Sequence, residues 1–179
     1  MSVWYSDHYG ADGTSDNSIA SPPNVVSVGV KHGRIRYARA TLTGLCLDTE
    51  VMRYLTLKSS DRILEIMISS DGGSTAAAAN YGVYKAGNAH DGAVLDADLF
   101  ASAQALSTAI ARTDIFNESA VLQHEDRGKQ LWELVVVGAD PDSYTADPQI
   151  LMDICGVVST TFTDAVSITT LEVYYTSGD

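Results

Sequence analysis

The sequence predicts an all-β fold, an antiparallel two-sheet sandwich of jelly-roll type with one short helical insertion. Three observations lead to this fold class. Eight segments of the 179-residue chain have the alternation or the β-branched composition that is typical of strands. Turn residues separate these segments at short spacing, and a single segment changes to a helical period. A hydrophobic content of 45% is enough for two sheets to bury each other's apolar faces.

Two regions differ in pattern: an extended N-terminal arm, residues 1–24, and a β-sandwich domain, residues 25–179. The arm has no periodic apolar pattern and contains a proline pair, which is typical of an irregular segment. Trp4, Tyr5 and Tyr9 nevertheless place three aromatic side chains near its start, and aromatic side chains favour burial. Two interpretations stay open: the arm docks on a neighbouring subunit, or it folds back on its own domain.

The first three predicted strands span residues 25–30, 34–43 and 50–57. A Lys-His-Gly turn joins the first two strands. The alternation slips in the middle of the second strand, which predicts a bulge or a strong twist there.

Basic residues are concentrated around the second predicted strand. Four of the eleven Lys and Arg residues occur within nine positions: Lys31, Arg34, Arg36 and Arg39. On a chain with a net charge of −12, such a patch of opposite sign can steer docking onto an acidic partner surface. The alternative interpretation is a solvated strand face with internal salt bridges, which are common on surfaces and weak.

The centre of the chain predicts a β-hairpin around which the other strands are arranged. Leu64, Ile66 and Ile68 alternate with polar or flexible residues and form one apolar row, so we expect them in the core. Glu65 is expected to be exposed or paired. A Ser-Asp-Gly-Gly-Ser turn then leads to the second strand of the hairpin, residues 77–83.

One segment follows a helical period: DADLFASAQALSTAIA, which begins at Asp96. Leu99, Ala103, Leu106 and Ile110 are spaced i, i+4, i+7 and i+11, and Asp96 is a suitable N-cap. The spacing predicts a helix of about three turns.

The last part of the chain returns to strands. Residues 112–130 are polar and mixed, and we expect them to be irregular. Strands are predicted at residues 131–137, 150–161 and 166–175, and a short turn between the last two makes them a hairpin.

Composition excludes several classes of partner and of location. A net charge of −12 and a pI near 4.5 argue against nucleic acid or an anionic membrane as partner, because both would repel the chain. Neither a signal peptide nor a transmembrane helix is expected, since no continuous apolar stretch of sufficient length occurs. Cys46 and Cys155 are expected to be buried free thiols, with a disulfide between them as the alternative.

Chemical motifs give no indication of an enzyme, a cofactor or a metal. The four histidines are scattered without ligand spacing, and no Gly-x-Ser-x-Gly motif occurs. Asp91, Asp96 and Asp98 come closest to an oxygen-rich cation site. An N-cap and an acidic first helical turn explain Asp96 and Asp98 equally well.

The order of several segments resembles structural proteins from the head-gene clusters of tailed bacteriophages. The resemblance runs from Arg34 to Asp179 and rests on RIRYARATLTGL, LKSSDRILEIMISSD, NYGVYKAG, DGAVLDADLFASA and LEVYYTSGD. It implies a virion protein, namely a head decoration or cement protein that binds the major capsid protein on the outer head surface and joins neighbouring capsomers. It also implies a homotrimer on the capsid surface, assembled in the host cytoplasm.

If the chain is such a cement protein, the sequence offers two kinds of docking residue. Trp4, Tyr5 and Tyr9 would be apolar anchors, and the four basic residues named above would guide association electrostatically. The alternative function is a tail or fibre component with a carbohydrate-binding β-sandwich. Exposed rings of Trp4, Tyr5 and Tyr144 in a groove would favour that alternative, whereas an enzyme would need two titratable side chains close together in a pocket.

Overall fold

The computed structural model describes residues 34–43, 51–72, 77–86, 92–138, 150–160 and 168–177. These residues belong to one compact unit that starts at Arg34. The predicted arm, the first predicted strand and Lys31 lie outside the described residues. The domain boundary between residues 24 and 25 therefore stays a prediction.

Eight strands, a 3₁₀ turn and one α-helix make up the described part of the chain. The strands are, in chain order, β1 (Ile35–Thr43), β2 (Val51–Lys58), β3 (Arg62–Ser70), β4 (Ala78–Lys85), β5 (Val94–Ala105), β6 (Ile110–Asp114), β7 (Leu151–Thr160) and β8 (Ile168–Thr176). The 3₁₀ turn is His124–Asp126 and the helix, α1, is Leu131–Gly138. No helix among these elements is long and apolar enough to cross a bilayer.

The strands form two four-stranded antiparallel sheets. Sheet A has the order β1-β8-β3-β6, and sheet B has the order β2-β7-β4-β5. Strand β1 pairs with β8, β2 with β7, β3 with β6, and β4 with β5, as in one long hairpin of eight strands. Further pairing of β3 with β8 and of β4 with β7 rolls this hairpin into two sheets. The predicted jelly-roll sandwich is therefore confirmed.

The core lies between the two sheets and is mostly apolar. Its largest fully buried side chains include Tyr81 and Phe100 of sheet B, Ile66 of sheet A, and Phe116, which follows β6. Phe100 and Phe116 pack as a tilted pair with their ring centroids 6.0 Å apart. The hydroxyl groups of Tyr54 in sheet B and Thr169 in sheet A lie 2.7 Å apart, so a buried hydrogen bond joins the sheets.

The apolar row of β3 differs from the predicted one at a single residue. Ile66 and Ile68 are buried and Glu65 is exposed, as predicted. Leu64 is only half-buried, and Ile63 is fully buried instead. The register against β8 slips between Ile63 and Glu65, so Leu64 occupies a bulge. An extra residue in one strand reverses the side to which its earlier residues point.

The two predicted hairpins are wrong, although their strands exist. Strand β3 belongs to sheet A and β4 to sheet B, and the same separation holds for β8 and β7. Each connection therefore passes from one sheet to the other. A turn signal shows that the chain changes direction, but it does not show which neighbour the next strand pairs with.

The predicted helix that begins at Asp96 is also wrong. The segment Val94–Ala105 is strand β5, which pairs with β4 along sheet B, and Ile110 starts the short strand β6. Helix propensities differ by less than about 1 kcal/mol per residue. Pairing with β4 and burial of Phe100 outweigh that preference. The backbone bends at Ala103, which has a φ of 52°.

A helix stands where a strand was predicted near residue 131. In α1, Leu131, Leu134 and Val135 are buried, and their i, i+3, i+4 spacing places them on one helix face. The Glu133 carboxylate accepts a hydrogen bond from the Gln130 backbone N–H at 2.7 Å, as in a capping box. These local contacts explain why the apolar run folds as a helix.

Candidate docking surface

The predicted docking residues are only partly covered by the described residues. Trp4, Tyr5, Tyr9 and Lys31 lie outside them, as does Tyr144, so their placement stays a prediction. Arg34 directly precedes β1, Arg36 and Arg39 lie within it, and all three arginines are exposed.

The arginines of β1 do not share one face of the sheet. Arg36 is paired with Tyr175 and Arg39 with Glu172, and residues separated by three positions in a strand point to opposite sides. Arg39 forms a long ion pair with Glu172, at 3.9 Å. Arg34 and Arg36 make no ion pair with any residue that the structure describes. The interpretation as internal salt bridges thus applies to Arg39, whereas docking through Arg34 and Arg36 stays a prediction.

Arg39 belongs to a cluster on the outer face of sheet A that the sequence did not reveal. We call it the tyrosine–arginine face, and it consists of Tyr37, Arg39, Arg112, Glu172 and Tyr174. Tyr37 is directly opposite Tyr174, and Arg39 is directly opposite Glu172, across the β1–β8 pair. Arg112 comes from β6 and reaches across β3 to the same glutamate. Three strands that are distant in sequence therefore build this surface.

The tyrosine–arginine face is held together by a hydrogen-bonded ion pair, a cation–π contact and a pair of tyrosine rings. The Arg112 Nε donates to the Glu172 carboxylate at 2.7 Å. The Arg112 guanidinium also lies 5.3 Å from the centre of the Tyr174 ring. The rings of Tyr37 and Tyr174 are tilted against each other with their centroids 5.1 Å apart. The cluster is held in place by these contacts before any partner binds.

Electrostatics keep the face positively charged. The hydrogen bond from Arg112 lowers the pKa of Glu172 below its ordinary value, so this carboxylate stays ionised near neutral pH. Partial burial and the hydrogen bond to Glu172 raise the pKa of Tyr37, so its phenol stays neutral. Two guanidinium groups surround one carboxylate, and the face therefore has a formal charge of +1.

Charge is unevenly distributed along the chain. The described residues hold 12 of the 23 acidic residues and 10 of the 11 basic ones, so their formal net charge is −2. The remaining −10 belongs to segments outside the described residues. The described residues are thus nearly neutral, and most of the net charge of the protein comes from residues outside the described ranges.

The chemistry of the face suits binding. Tyr and Arg are the residue types that most often dominate the binding energy of protein interfaces, together with Trp. Rings can stack on the tyrosines, and carboxylates can accept hydrogen bonds from the guanidinium groups. A period of two in the predicted strand 166–175 is the signal that would put Glu172 and Tyr174 on one side. The contribution of Arg112 could not be seen, because β6 was not predicted.

A second polar network lies on the outer side of sheet B. Arg53 donates to the Asp153 carboxylate at 2.8 Å and to the backbone carbonyl groups of Lys85 and Gly92. Burial raises the pKa of the neighbouring Cys155 thiol to about 12. A thiol with such a pKa is not a nucleophile at neutral pH. Cys155 is a free, buried cysteine, whereas Cys46 lies outside the described residues.

The acidic cluster proposed for a cation is not assembled in the described residues. Asp91 lies outside them. Asp96 and Asp98 lie in β5, so the expected explanation of these residues as a helix N-cap and first turn is wrong. The Asp98 backbone N–H donates to the Asp96 carboxylate, and burial raises the pKa of Asp96. Within the described ranges, no group of three or more His, Cys, Asp or Glu residues is positioned to hold a metal ion.

No protein-family profile and no curated protein matches the chain. Similar chains occur in the solved structures of two phage capsids. A chain in the capsid of Ralstonia phage GP4 aligns with a TM-score of 0.55 and 11% identity, over 87% of this chain and 90% of that one. A chain in the capsid asymmetric unit of cyanophage Pam1 aligns with a TM-score of 0.47 and 13% identity, over 86% and 89%. At such identities the likeness concerns the fold alone, and in its fold this chain resembles a structural component of phage capsids.

Proposed function

We propose that the protein is a capsid decoration, or cement, protein of a tailed bacteriophage. It binds the major capsid protein on the outer head surface and stabilises the contacts between capsomers. The observation that carries this proposal is the jelly-roll likeness to a chain of the Ralstonia phage GP4 capsid, which extends over 87% of this chain. The protein acts by binding, as a structural part of the virion that assembles in the host cytoplasm, and not as an enzyme.

The docking residues in this proposal are of two kinds. Trp4, Tyr5 and Tyr9 are apolar anchors for docking on the capsid or on a neighbouring subunit, in an arm that can extend up to about 80 Å. Lys31, Arg34, Arg36 and Arg39 guide the approach to an acidic surface. Because Arg34 and Arg36 have no ion-pair partner in the described part of the chain, their charges are available to a partner.

A homotrimer is the proposed assembly. A virion component has to stay attached through dilution and shear, which requires an interface of more than about 1,000 Å² in total. Light scattering at high concentration should give three times the 19.1 kDa chain mass. A mass of one chain at all concentrations would count against self-assembly in solution.

The test of the proposed function is re-decoration of phage heads. Heads that lack the protein are incubated with the recombinant full-length chain, and cryo-electron microscopy measures its occupancy. We expect added density on the outer surface at the junctions between capsomers. Density confined to the tail, or no density at all, would contradict the cement function.

Two variants make the head-binding test specific. Arg34→Ala with Arg36→Ala should lower the occupancy at low salt and have little effect at high salt, because exposed charges act mainly through the association rate. Lys58→Ala removes one positive charge from β2, in the other sheet, and serves as the control. Its occupancy should equal that of the wild type at every salt concentration.

A further inference from the structure

We propose that the tyrosine–arginine face is the acceptor for the N-terminal arm, residues 1–24, of a second copy of this chain. This inference rests on the self-association part of the proposed function. The proposed function states only that copies of the chain associate; this inference names the surface and the interactions through which they do so.

The first argument is the exposure of the face. Tyr37 is 50% exposed and Ile35, in the same outward row of β1, is 67% exposed. Both are large apolar side chains, and their burial by a partner would contribute favourable free energy. Among the described residues, this area is therefore open to a partner.

The second argument is charge complementarity. The arm contains three acidic residues, Asp7, Asp12 and Asp16, and no Lys or Arg. The face carries a formal charge of +1, and Arg34 and Arg36 add two positive charges at the start of the same strand. The negatively charged arm is therefore attracted to this end of sheet A.

The third argument is the match between the side chains. Trp4, Tyr5 and Tyr9 supply rings that can stack on the exposed ring of Tyr37. The Arg39 side chain is 57% exposed and only loosely paired at 3.9 Å, so its guanidinium can donate to a carboxylate of the arm. Arg112 is held more tightly by Glu172, and its guanidinium lies over the ring of Tyr174.

Chain length permits the contact between copies. Nine residues, 25–33, separate the end of the arm from Arg34, and they can span up to about 30 Å when extended. The 24 residues of the arm add up to about 80 Å, so the chain is long enough to reach a neighbouring copy. Each copy has one arm and one face, so the contact is head-to-tail and can close into a ring.

The test uses three full-length variants and analytical ultracentrifugation. The face variant carries Tyr37→Ala and Arg39→Glu, and the arm variant carries Trp4→Ala and Asp7→Lys. Each variant alone should dissociate at a concentration at least about tenfold higher than the wild type, because an aromatic anchor and a charge are lost. Lys58→Glu reverses a charge in sheet B and should associate like the wild type.

Mixing the two variants shows whether the contact is between copies. The face variant keeps its arm and the arm variant keeps its face, so an equimolar mixture should regain a species of twice the chain mass. A mixture that stays monomeric would overturn the proposal, since an arm bound to its own chain cannot be complemented. Unchanged association of either variant alone, or a wild type that stays monomeric at every concentration, would overturn it as well.

The outcome is separable from that of the head-binding experiment. A wild type that decorates heads, together with a face variant that associates normally, removes this inference and leaves the proposed function intact. A wild type that associates through the arm but leaves heads undecorated removes the cement function and supports this inference.

Discussion

Replacing Ile63 and Leu64 by alanine, one at a time, tests which of two adjacent residues in β3 faces the core. The alternation in the sequence assigns Leu64 to the core and Ile63 to the opposite side. The bulge at Leu64 reverses this assignment: Ile63 is fully buried and Leu64 is half-buried. With the bulge, Ile63→Ala should destabilise the protein more than Leu64→Ala. Without the bulge, the order should be reversed.

The expected magnitudes follow from burial. Ile63→Ala removes a completely buried side chain opposite Tyr175, so unfolding should become easier by about 2–5 kcal/mol. Leu64→Ala should cost roughly 1–2 kcal/mol, because part of the Leu64 side chain is already in contact with water. The Leu64 backbone carbonyl keeps its hydrogen bond from Arg127 in either variant.

Urea unfolding followed by circular dichroism measures both costs. The slope against urea should stay the same in both variants, so that the shift in midpoint reports stability alone. In thermal unfolding, about 2–4 °C is lost per kcal/mol for a chain of this size, and Ile63→Ala should lie clearly below Leu64→Ala. Ile66→Ala, also about 2–5 kcal/mol, is the reference for a buried residue that both registers place in the core. A cost of Leu64→Ala equal to or larger than that of Ile63→Ala would refute the bulge.

Three further predictions concern other parts of the sandwich. Gly82→Ala should destabilise the protein by more than about 3 kcal/mol, because an added methyl group would overlap the backbone carbonyl oxygen of Asp96 in the adjacent strand. The hydrogen bond from Lys129 lowers the pKa of Asp126 in the folded state, so protonation of Asp126 in acid reduces stability. Because Asn does not titrate, Asp126→Asn should lose less stability than the wild type when the pH is lowered. The stabilisation from a lowered pKa is present above the ordinary carboxyl pKa of about 4 and is lost as the pH falls through the lowered value. Cys155 should resist thiol reagents in the native protein, so Cys155→Ala should leave the native labelling rate unchanged.

Each of these three has a matched comparison. A methyl group added at Gly156 would meet side-chain atoms of Met52 and Tyr81 and no backbone atom, so Gly156→Ala should cost less than Gly82→Ala. An equal loss would show that the backbone contact at Gly82 is not decisive. Glu65→Gln, at an exposed site, should keep the acid sensitivity of the wild type. If Asp126→Asn also loses as much stability in acid as the wild type does, the pairing of Asp126 with Lys129 does not contribute to the pH dependence of stability. Rapid native labelling that disappears in Cys155→Ala would contradict the burial of that thiol, and both proteins are labelled in denaturant as a control.

Local sequence patterns were reliable for single strands. Six of the predicted strands correspond to β1, β2, β3, β4, β7 and β8, with ends that agree within a few residues. The alternation of Ile66 and Ile68 with Glu65 survives in the structure because β3 is buried on one side and more open on the other. The jelly-roll class was also accessible, since many short strands with frequent turns are typical of it.

Helix α1 shows a signal that was present and was read incorrectly. Gln130 and Glu133 have capping-box spacing, and the buried residues Leu131, Leu134 and Val135 follow a helical period. The β-branched residues nearby favoured the strand interpretation. Strand β5 is the opposite case, because its local pattern does favour a helix and only the pairing with β4 makes it a strand.

The sequence by itself determined where most strands lie, which of their residues are apolar, and that the chain is acidic. Tertiary structure alone decided which strands are neighbours, where the bulge at Leu64 falls, and that Tyr37, Arg112 and Glu172 meet on one face. The physical reason is that backbone hydrogen bonds are the same for every pair of strands. An alternating strand can therefore satisfy them with any partner, and the choice among partners depends on how distant side chains fill the shared core.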